Sequence, residues 1–456
     1  MTGQHRHGPD TRMPVAVIGM GCAYPGAWGT DELWELLADG VDAIGDIPES
    51  RYDTEEFHAP DPGTPGKSTS RRGGFLDGLA EAIGPDAFPA EEFGVEPREI
   101  ADMDPQQRLL LLTARAALRD TGLPPGRHAG SRTAVFVGQS HSDHWDALRD
   151  RGLDTLDLDS FSGSHQRGLL AGRLSYAFDL RGPSVTVDTA QASSLVALHL
   201  AVRSLRGGEA DMALAGGVSL VLGPAANVML SRAGALSTDG RCKFGDATAD
   251  GFVRSDGAGV VVLKPLDRAL ADGDRVRAVI LGSAVSNDGR AKDRLTDPSR
   301  EGQAAAMRWA YEDAGVVPGE VAYVEAHGTG TRIDPVELGA LTDVLGEGRP
   351  AGHPCLVGSL KTNIGHTEAA AGVGGVIKTV LALEHGTVPP SLHFTTPHPA
   401  VDWDALPLVV PTRSQPLPSQ DGRPVIAAVN GQSISSTNVH LVLAQAPRTP
   451  GTGHRH

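Results

Sequence analysis

Residues 185–200 read Val185-Thr-Val-Asp-Thr-Ala-Gln-Ala-Ser-Ser-Leu-Val-Ala-Leu-His-Leu, and their order decides the fold class. Three consecutive β-branched residues, Val185, Thr186 and Val187, ask for a buried strand. From Ser193 to Arg206 the apolar residues recur at spacings of three and four, the period of a helix. A strand that turns directly into a helix is an α/β elbow. Its apex, Gln191, falls beside the helix N-terminus, where unpaired backbone N–H groups and the helix dipole favour a thiolate or an oxyanion. A carboxamide is no nucleophile at neutral pH, so Gln191 cannot carry a covalent acyl group. Standing alone, Gln191 reads equally well as a buried side chain satisfying backbone groups.

The same alternation extends in both directions. Short apolar runs predict strands over Val15–Gly19, Thr133–Gly138, Ser184–Asp188, Met212–Val218, Gly259–Lys264, Val276–Ser283, Val321–Glu325, Leu356–Ser359, Val425–Val429 and Val439–Leu443. Helical periodicity covers Asp104–Thr121, Ser193–Arg206, Arg300–Ala314, Pro335–Leu345 and Ala369–His385. This is an α/β pattern with buried strands. Thr133–Val218 is loosely echoed by Val276–Lys361. Ile47–Phe93 and Pro411–Arg423, rich in Pro, Gly or polar residues, read as surface excursions, and the tails 1–12 and 447–456 as flexible.

Composition narrows the function classes. A chain of 456 residues can bury a large core, and with 56 Asp+Glu against 40 Lys+Arg its net charge of -16 argues against nucleic acid or an anionic membrane as the main partner. Cys22, Cys242 and Cys355 form no CxxC pair, so neither a disulfide framework nor a cysteine metal site is indicated, and a reducing cytoplasm fits. No apolar run reaches the roughly 18 residues of a membrane span. No metal-ligand spacing, P-loop or dinucleotide fingerprint occurs.

Three further segments carry chemistry. In Val324-Glu-Ala-His-Gly-Thr-Gly-Thr-Arg-Ile-Asp-Pro-Val-Glu a strand ends on His327, and a Gly/Thr turn with Thr329 and Thr331 feeds a helix bearing Glu337. A histidine at a strand end beside glycines can reach a developing oxyanion, although a lone one is more often structural. Val357-Gly-Ser-Leu-Lys-Thr-Asn-Ile-Gly-His-Thr-Glu leads from a strand into a small-residue helix and offers Lys361 and His366. Ala427-Ala-Val-Asn-Gly-Gln-Ser-Ile-Ser-Ser-Thr-Asn-Val-His reads as a polar turn between strands, a source of a backbone donor and a gate.

Together with Val15-Ala-Val-Ile-Gly-Met-Gly-Cys-Ala-Tyr-Pro-Gly, Asp104-Pro-Gln-Gln-Arg and Ala215-Gly-Gly-Val, these segments resemble the ketosynthase (beta-ketoacyl synthase) family of the thiolase superfamily, and within it the ketosynthases of modular polyketide synthases. The resemblance implies a duplicated five-layer α-β-α-β-α fold with halves at 13–264 and 265–446. It also implies a homodimer, no bound cofactor, and a substrate carried on the phosphopantetheine arm of an acyl carrier protein. His327 and His366 would polarise the thioester carbonyl of a malonyl-type unit as carbon dioxide leaves. Lys361 would orient this region, paired with Glu337. The backbone N–H groups of Gln191 and Ile434 would form an oxyanion hole, with Gln432 and Ser433 in the gate and Thr329 and Thr331 in support.

The departures bear on activity. The resemblance expects a cysteine at the elbow, and Gln191 stands there. Gln with both histidines kept fits the decarboxylating domains that make a starter acyl group. Chain-length factors, a silent-partner alternative, typically lose the histidines. The gate reads Gln432-Ser-Ile-Ser-Ser-Thr-Asn-Val-His where the family has Phe-Gly-x-x-Gly-Thr-Asn-Ala-His, and one residue is missing after His327. A stand-alone enzyme forming carbon–carbon bonds, or closing rings by aldol chemistry with its cysteine replaced by Gln, is the other alternative.

Overall fold

In the computed structural model, residues 12–418 and 422–447 are described, so nearly all of both tails lies outside the described residues. All ten expected strands form, each within a few residues of its expected bounds. They are β1 (Val15–Ala23), β2 (Thr133–Gly138), β3 (Ser184–Val187), β4 (Met212–Ser219), β5 (Gly257–Pro265), β6 (Ala278–Asn287), β7 (Val321–Glu325), β8 (Cys355–Gly358), β9 (Ile426–Gln432) and β10 (Thr437–Gln445). The principal helices are α1 (Pro105–Asp120), α2 (Leu169–Ala177), α3 (Ser193–Arg206), α4 (Arg300–Ala314), α5 (Asp334–Leu345) and α6 (Ala371–His385). Five were expected. α2 was not: Gly172 interrupts its apolar pattern and Gly168 precedes it.

The strands repeat one arrangement. The first set runs β3-β2-β4-β5-β1 and the second β8-β7-β9-β10-β6, with the two-residue strand Leu408–Val409 added at the edge. In each set the second strand pairs parallel with both neighbours, and the third, fourth and fifth join antiparallel. The sets meet edge to edge, antiparallel, over Val15–Val17 and Ala278–Ile280. The internal echo is therefore real but shifted from the expected register: Thr133–Ser219 corresponds to Val321–Gln432, and Ala278–Asn287 corresponds to β1. Strand runs look alike, and only hydrogen-bonded order tells them apart.

Helices fill the space in layers. α1 and α2 cover the outer face of the first set, α4 and α5 that of the second, and α3 and α6 pack together between the two. Two apolar clusters fill the outer interfaces, and a third, including Leu195, Leu198, Val202, Val373, Val376 and Val380, fills the middle. This is a five-layer α-β-α-β-α fold. The central helices approach backbone to backbone: a Cβ on Gly372 would lie 2.9 Å from Leu195 Cβ, so only glycine fits there. The excursion Ile47–Phe93 is no free loop. Arg51 enters the fold and pairs with buried Asp256 at 2.5 Å, while Ile47 and Phe93 are buried. No helix among the described residues is long and apolar enough to cross a membrane.

Candidate active site

β3 ends in the elbow the sequence indicated. A 3-10 turn, Ala190–Ala192, leads straight into α3, and Ala190 takes the left-handed conformation at φ 52°. An alanine there costs about 1 kcal/mol or more. Local hydrogen bonds hold it: the Thr189 amide donates to Ser193 Oγ at 2.9 Å, Ser193 Oγ–H to the Ala190 carbonyl at 2.6 Å, and the Ala190 amide to Asp188 Oδ1 at 3.1 Å. The strained corner aims the Gln191 side chain across to the turn between β9 and β10. There Gln191 Oε1 accepts the Ile434 N–H at 3.2 Å. This refines the expected oxyanion hole, because the Ile434 donor is engaged by the Gln191 carboxamide itself.

Opposite the elbow stand the two histidines, from the second strand set. Their ring centroids are 5.4 Å apart and their planes 80° from parallel. His327 follows β7 and receives the Gln432 N–H on Nδ1 at 3.4 Å. His366 receives the Glu368 N–H on its Nδ1 at 3.0 Å. A ring nitrogen that accepts carries no proton, so each neutral imidazole has its proton on Nε2. Burial above all, then the charge of Lys361, pushes both histidines well below their ordinary range; His366 adds to the effect on His327. At neutral pH the pair therefore presents two uncharged N–H donors.

Lys361 and Glu337 do not pair directly; no ion pair joins them among the described residues. They grip the same peptide from two sides. Lys361 Nζ donates to the His327 carbonyl at 2.6 Å, while Glu337 accepts the His327 and Gly328 amides on its two oxygens at 2.8 Å each. Gly328 is at φ 45°, and a Cβ there would lie 2.7 Å from Ser359 Cβ. Burial lowers Lys361 and raises Glu337 from their usual ranges. Thr329 and Thr331 bond to each other through their hydroxyls at 2.9 Å, bracing the turn before α5.

The gate differs from the expected polar turn. Asn430 to Gln432 belong to β9, and only Ser433–Ser436 forms the turn. The Gln432 side chain points away from the histidines, its Oε1 accepting from Gln303 Nε2 of α4 at 3.1 Å. Its main-chain amide is what reaches the site. Ser433 Oγ bonds Ser435 Oγ at 2.6 Å, and Ile434 is 53 % exposed at the turn's tip.

Gln191, His327, Lys361, Gly372, Asn430 and Gly431 line a cavity of about 10 Å³, room for one water. Beneath it lie residues the sequence reading missed. Lys378 Nζ is 2.8 Å from Glu325 Oε2 in a fully buried ion pair, and Glu325 also accepts the Leu360 amide. A single lysine in the apolar run of α6 was the available signal. Next to His366, Glu368 is raised by burial but held well below its usual range by Arg254, at 2.8 Å, and by His141, at 2.9 Å. Among the described residues no group of three or more His, Cys, Asp or Glu is placed to hold a metal.

Two like strand sets joined edge to edge, with an elbow from one facing histidines from the other, define a thiolase-like ketosynthase fold. Family profiles described as "Beta-ketoacyl synthase, N-terminal domain" and "Beta-ketoacyl synthase, C-terminal domain" match residues 12–269 and 277–395, and the chain belongs to the beta-ketoacyl synthase family. It is 48 % identical over 444 residues to a component of the phenolphthiocerol/phthiocerol polyketide synthase of Mycobacterium tuberculosis, covering 96 % of this chain and 24 % of that protein. It is 47 % identical to a mycocerosic acid synthase-like polyketide synthase of Mycolicibacterium smegmatis, covering 96 % and 20 %. The chain thus spans about a quarter of the curated relatives' length. Among solved structures, a ketosynthase from module 6 of the bacillaene synthase of Bacillus subtilis 168 matches with TM-score 0.87 and 37 % identity, over 96 % of this chain and 72 % of that one. An oxazolomycin ketosynthase domain of Streptomyces albus JA3453 matches at 0.87 and 35 %, over 96 % and 76 %.

Proposed function

We propose that the chain decarboxylates a malonyl- or methylmalonyl-type thioester presented on the phosphopantetheine arm of an acyl carrier protein, within polyketide biosynthesis. The observation that carries this reading is the pair of neutral Nε2–H donors opposite an elbow that holds Gln191 in the place where the family resemblance expects a cysteine. In the step, the bond from Cα to the carboxylate breaks and carbon dioxide leaves. The electron pair passes through Cα into the thioester carbonyl, and the enolate oxygen accepts both Nε2–H groups; Cα then takes a proton from water. Donors aimed where charge develops lower the barrier without reorganising. Gln191 leaves the acyl group on its carrier.

We read residues 13–264 and 265–446 as the two halves of this unit, and the active form as a homodimer. Strand β3 is an open sheet edge, with Val185 41 %, Leu158 75 % and Phe161 45 % exposed in the first strand set and its covering loop. The test is intact-mass analysis of malonyl- and methylmalonyl-loaded carrier protein incubated with the parent and with Gln191→Cys. Loss of carbon dioxide by the parent supports the reading. An inert parent whose Gln191→Cys variant becomes acylated overturns it in favour of a condensing or cyclising site.

A further inference from the structure

Behind His327 lies a run of buried polar groups that the proposed step does not use. Asn430, on β9, is 6 % exposed. Its Nδ2 donates to Glu337 Oε1 at 3.0 Å, and its Oδ1 faces His440 Nδ1 at 2.7 Å. His440, on β10, is fully buried. Glu337, on α5, holds the His327 and Gly328 amides. One amide side chain thus ties together β9, β10, α5 and the loop that carries His327.

Only one arrangement of protons satisfies all of these contacts. A carboxylate accepts and never donates, so the NH₂ end of Asn430 must face Glu337. The oxygen end then faces His440, which must carry a proton on Nδ1, and that is its sole ring proton because the ring is neutral. Burial, the cause acting on His440, pushes it down to about 3 and keeps it so. Its Nε2 has no partner among the described residues, so the run ends there.

We infer that Asn430 is a positioning residue, which holds Glu337 as the double acceptor that fixes the His327 main chain, with His440 setting the direction of the amide. The inference rests on the reading of His327 as a donor to the enolate. Burial raises Glu337 most, and the Gly328, Asn430 and His327 contacts and the charge of Lys361 pull it back. The titratable groups facing Glu337 are His327, Lys361, Asp334 on its own helix and, beyond Asn430, His440. Without the Asn430 amide, Glu337 takes up a proton at higher pH. A protonated carboxyl no longer anchors both amides, and His327 drifts.

The test compares Asn430→Leu with Asn430→Ser, which keeps a hydroxyl donor, in carbon dioxide release from malonyl-carrier protein across pH. Asn430→Leu is expected to lower kcat about tenfold to a hundredfold on the acid side of the profile, with recovery as the pH rises and little change in KM. Asn430→Ser, whose hydroxyl sits one bond short of the amide and meets Glu337 only through a water, should recover part of that loss. If Asn430→Leu does not fold, His440→Phe reads the same acid limb, moved the same way by less. Nitrogen NMR of labelled histidine reports the His327 tautomer without turnover. A displaced His327 signal in Asn430→Leu with an inactive parent supports the inference and rejects the decarboxylase reading. A pH profile parallel to the parent's, or an unmoved His327 signal, overturns the inference.

Discussion

Replacing His366 by phenylalanine tests the central claim, because it keeps a ring of similar size and removes the Nε2–H donor. Loss of one donor to a developing oxyanion costs about 10²- to 10³-fold in kcat, or roughly 2.7–4 kcal/mol of transition-state stabilisation. His327 and His366 converge with centroids 5.4 Å apart, so in the proposed step both would serve one oxygen. The double variant should therefore lose less than the product of the single losses. The substitution also removes the acceptor for the Glu368 amide, a buried backbone group, at a cost of about 1–3 kcal/mol of stability, so each variant's melting temperature is measured beside its rate. Both rings are held well below their usual range, first by burial. Neither gains a proton as the pH falls toward about 6.5, and the parent's kcat should show no histidine step there. The assay is single-turnover loss of carbon dioxide from malonyl-carrier protein, read by intact mass. A loss below about tenfold in a folded His366→Phe variant, or a parent profile that rises with a histidine titrating near 6.5, would refute the two-donor mechanism.

Three other perturbations have definite expected outcomes. Lys378→Met leaves Glu325 buried without its cation and should destabilise the fold by about 3–5 kcal/mol in urea unfolding; adding Glu325→Gln should restore much of that, and no recovery would mean the pair is not coupled. Val185→Lys puts charge on the open edge strand β3 and should shift sedimentation from dimer to monomer, whereas an unchanged dimer would place the contact elsewhere. His199 is pushed down to about 4 by burial first and then Arg203. Its unfolded form binds a proton below about 6.5 and its folded form does not, so stability is lost as the pH falls. Against a His199→Phe variant the parent should lose about 1.3 kcal/mol between roughly pH 7.5 and 5.5; equal slopes would show that His199 is protonated in the folded chain.

Much of the fold was legible because most of its strands are buried on both faces and so appear as plain apolar runs; β3 is the correction, since its β-branched residues suggest a buried strand but it lies at the sheet edge with Val185 exposed. Thr133–Gly138 and Val321–Glu325 have the expected bounds. What periodicity cannot carry is which strands lie side by side, and so the internal echo came out in the wrong register. The site divides the same way. Gln191, His327, Lys361 and His366 stand in small-residue segments that look unlike core, and the fold brings them together. Pairings across elements were not readable. The resemblance implies that Lys361 pairs with Glu337, while the structure uses each on a different atom of one peptide. Gln432 is expected in the gate, and it is its main-chain amide that meets His327, at 3.4 Å. Asn430 and His440 lie on facing strands, in register, and nothing in one strand announces the other.

The two strand sets share few residues along their edge but share an entire helical layer, since α3 and α6 sit between them. Neither set alone can cover its inner face, so a chain cut in the exposed helix Leu266–Asp272 would give two pieces that stay unstructured until they associate. The elbow belongs to one piece and the histidines to the other. Assembly of the core and creation of the cavity are therefore a single event, and recovered turnover would itself report that the pieces had joined.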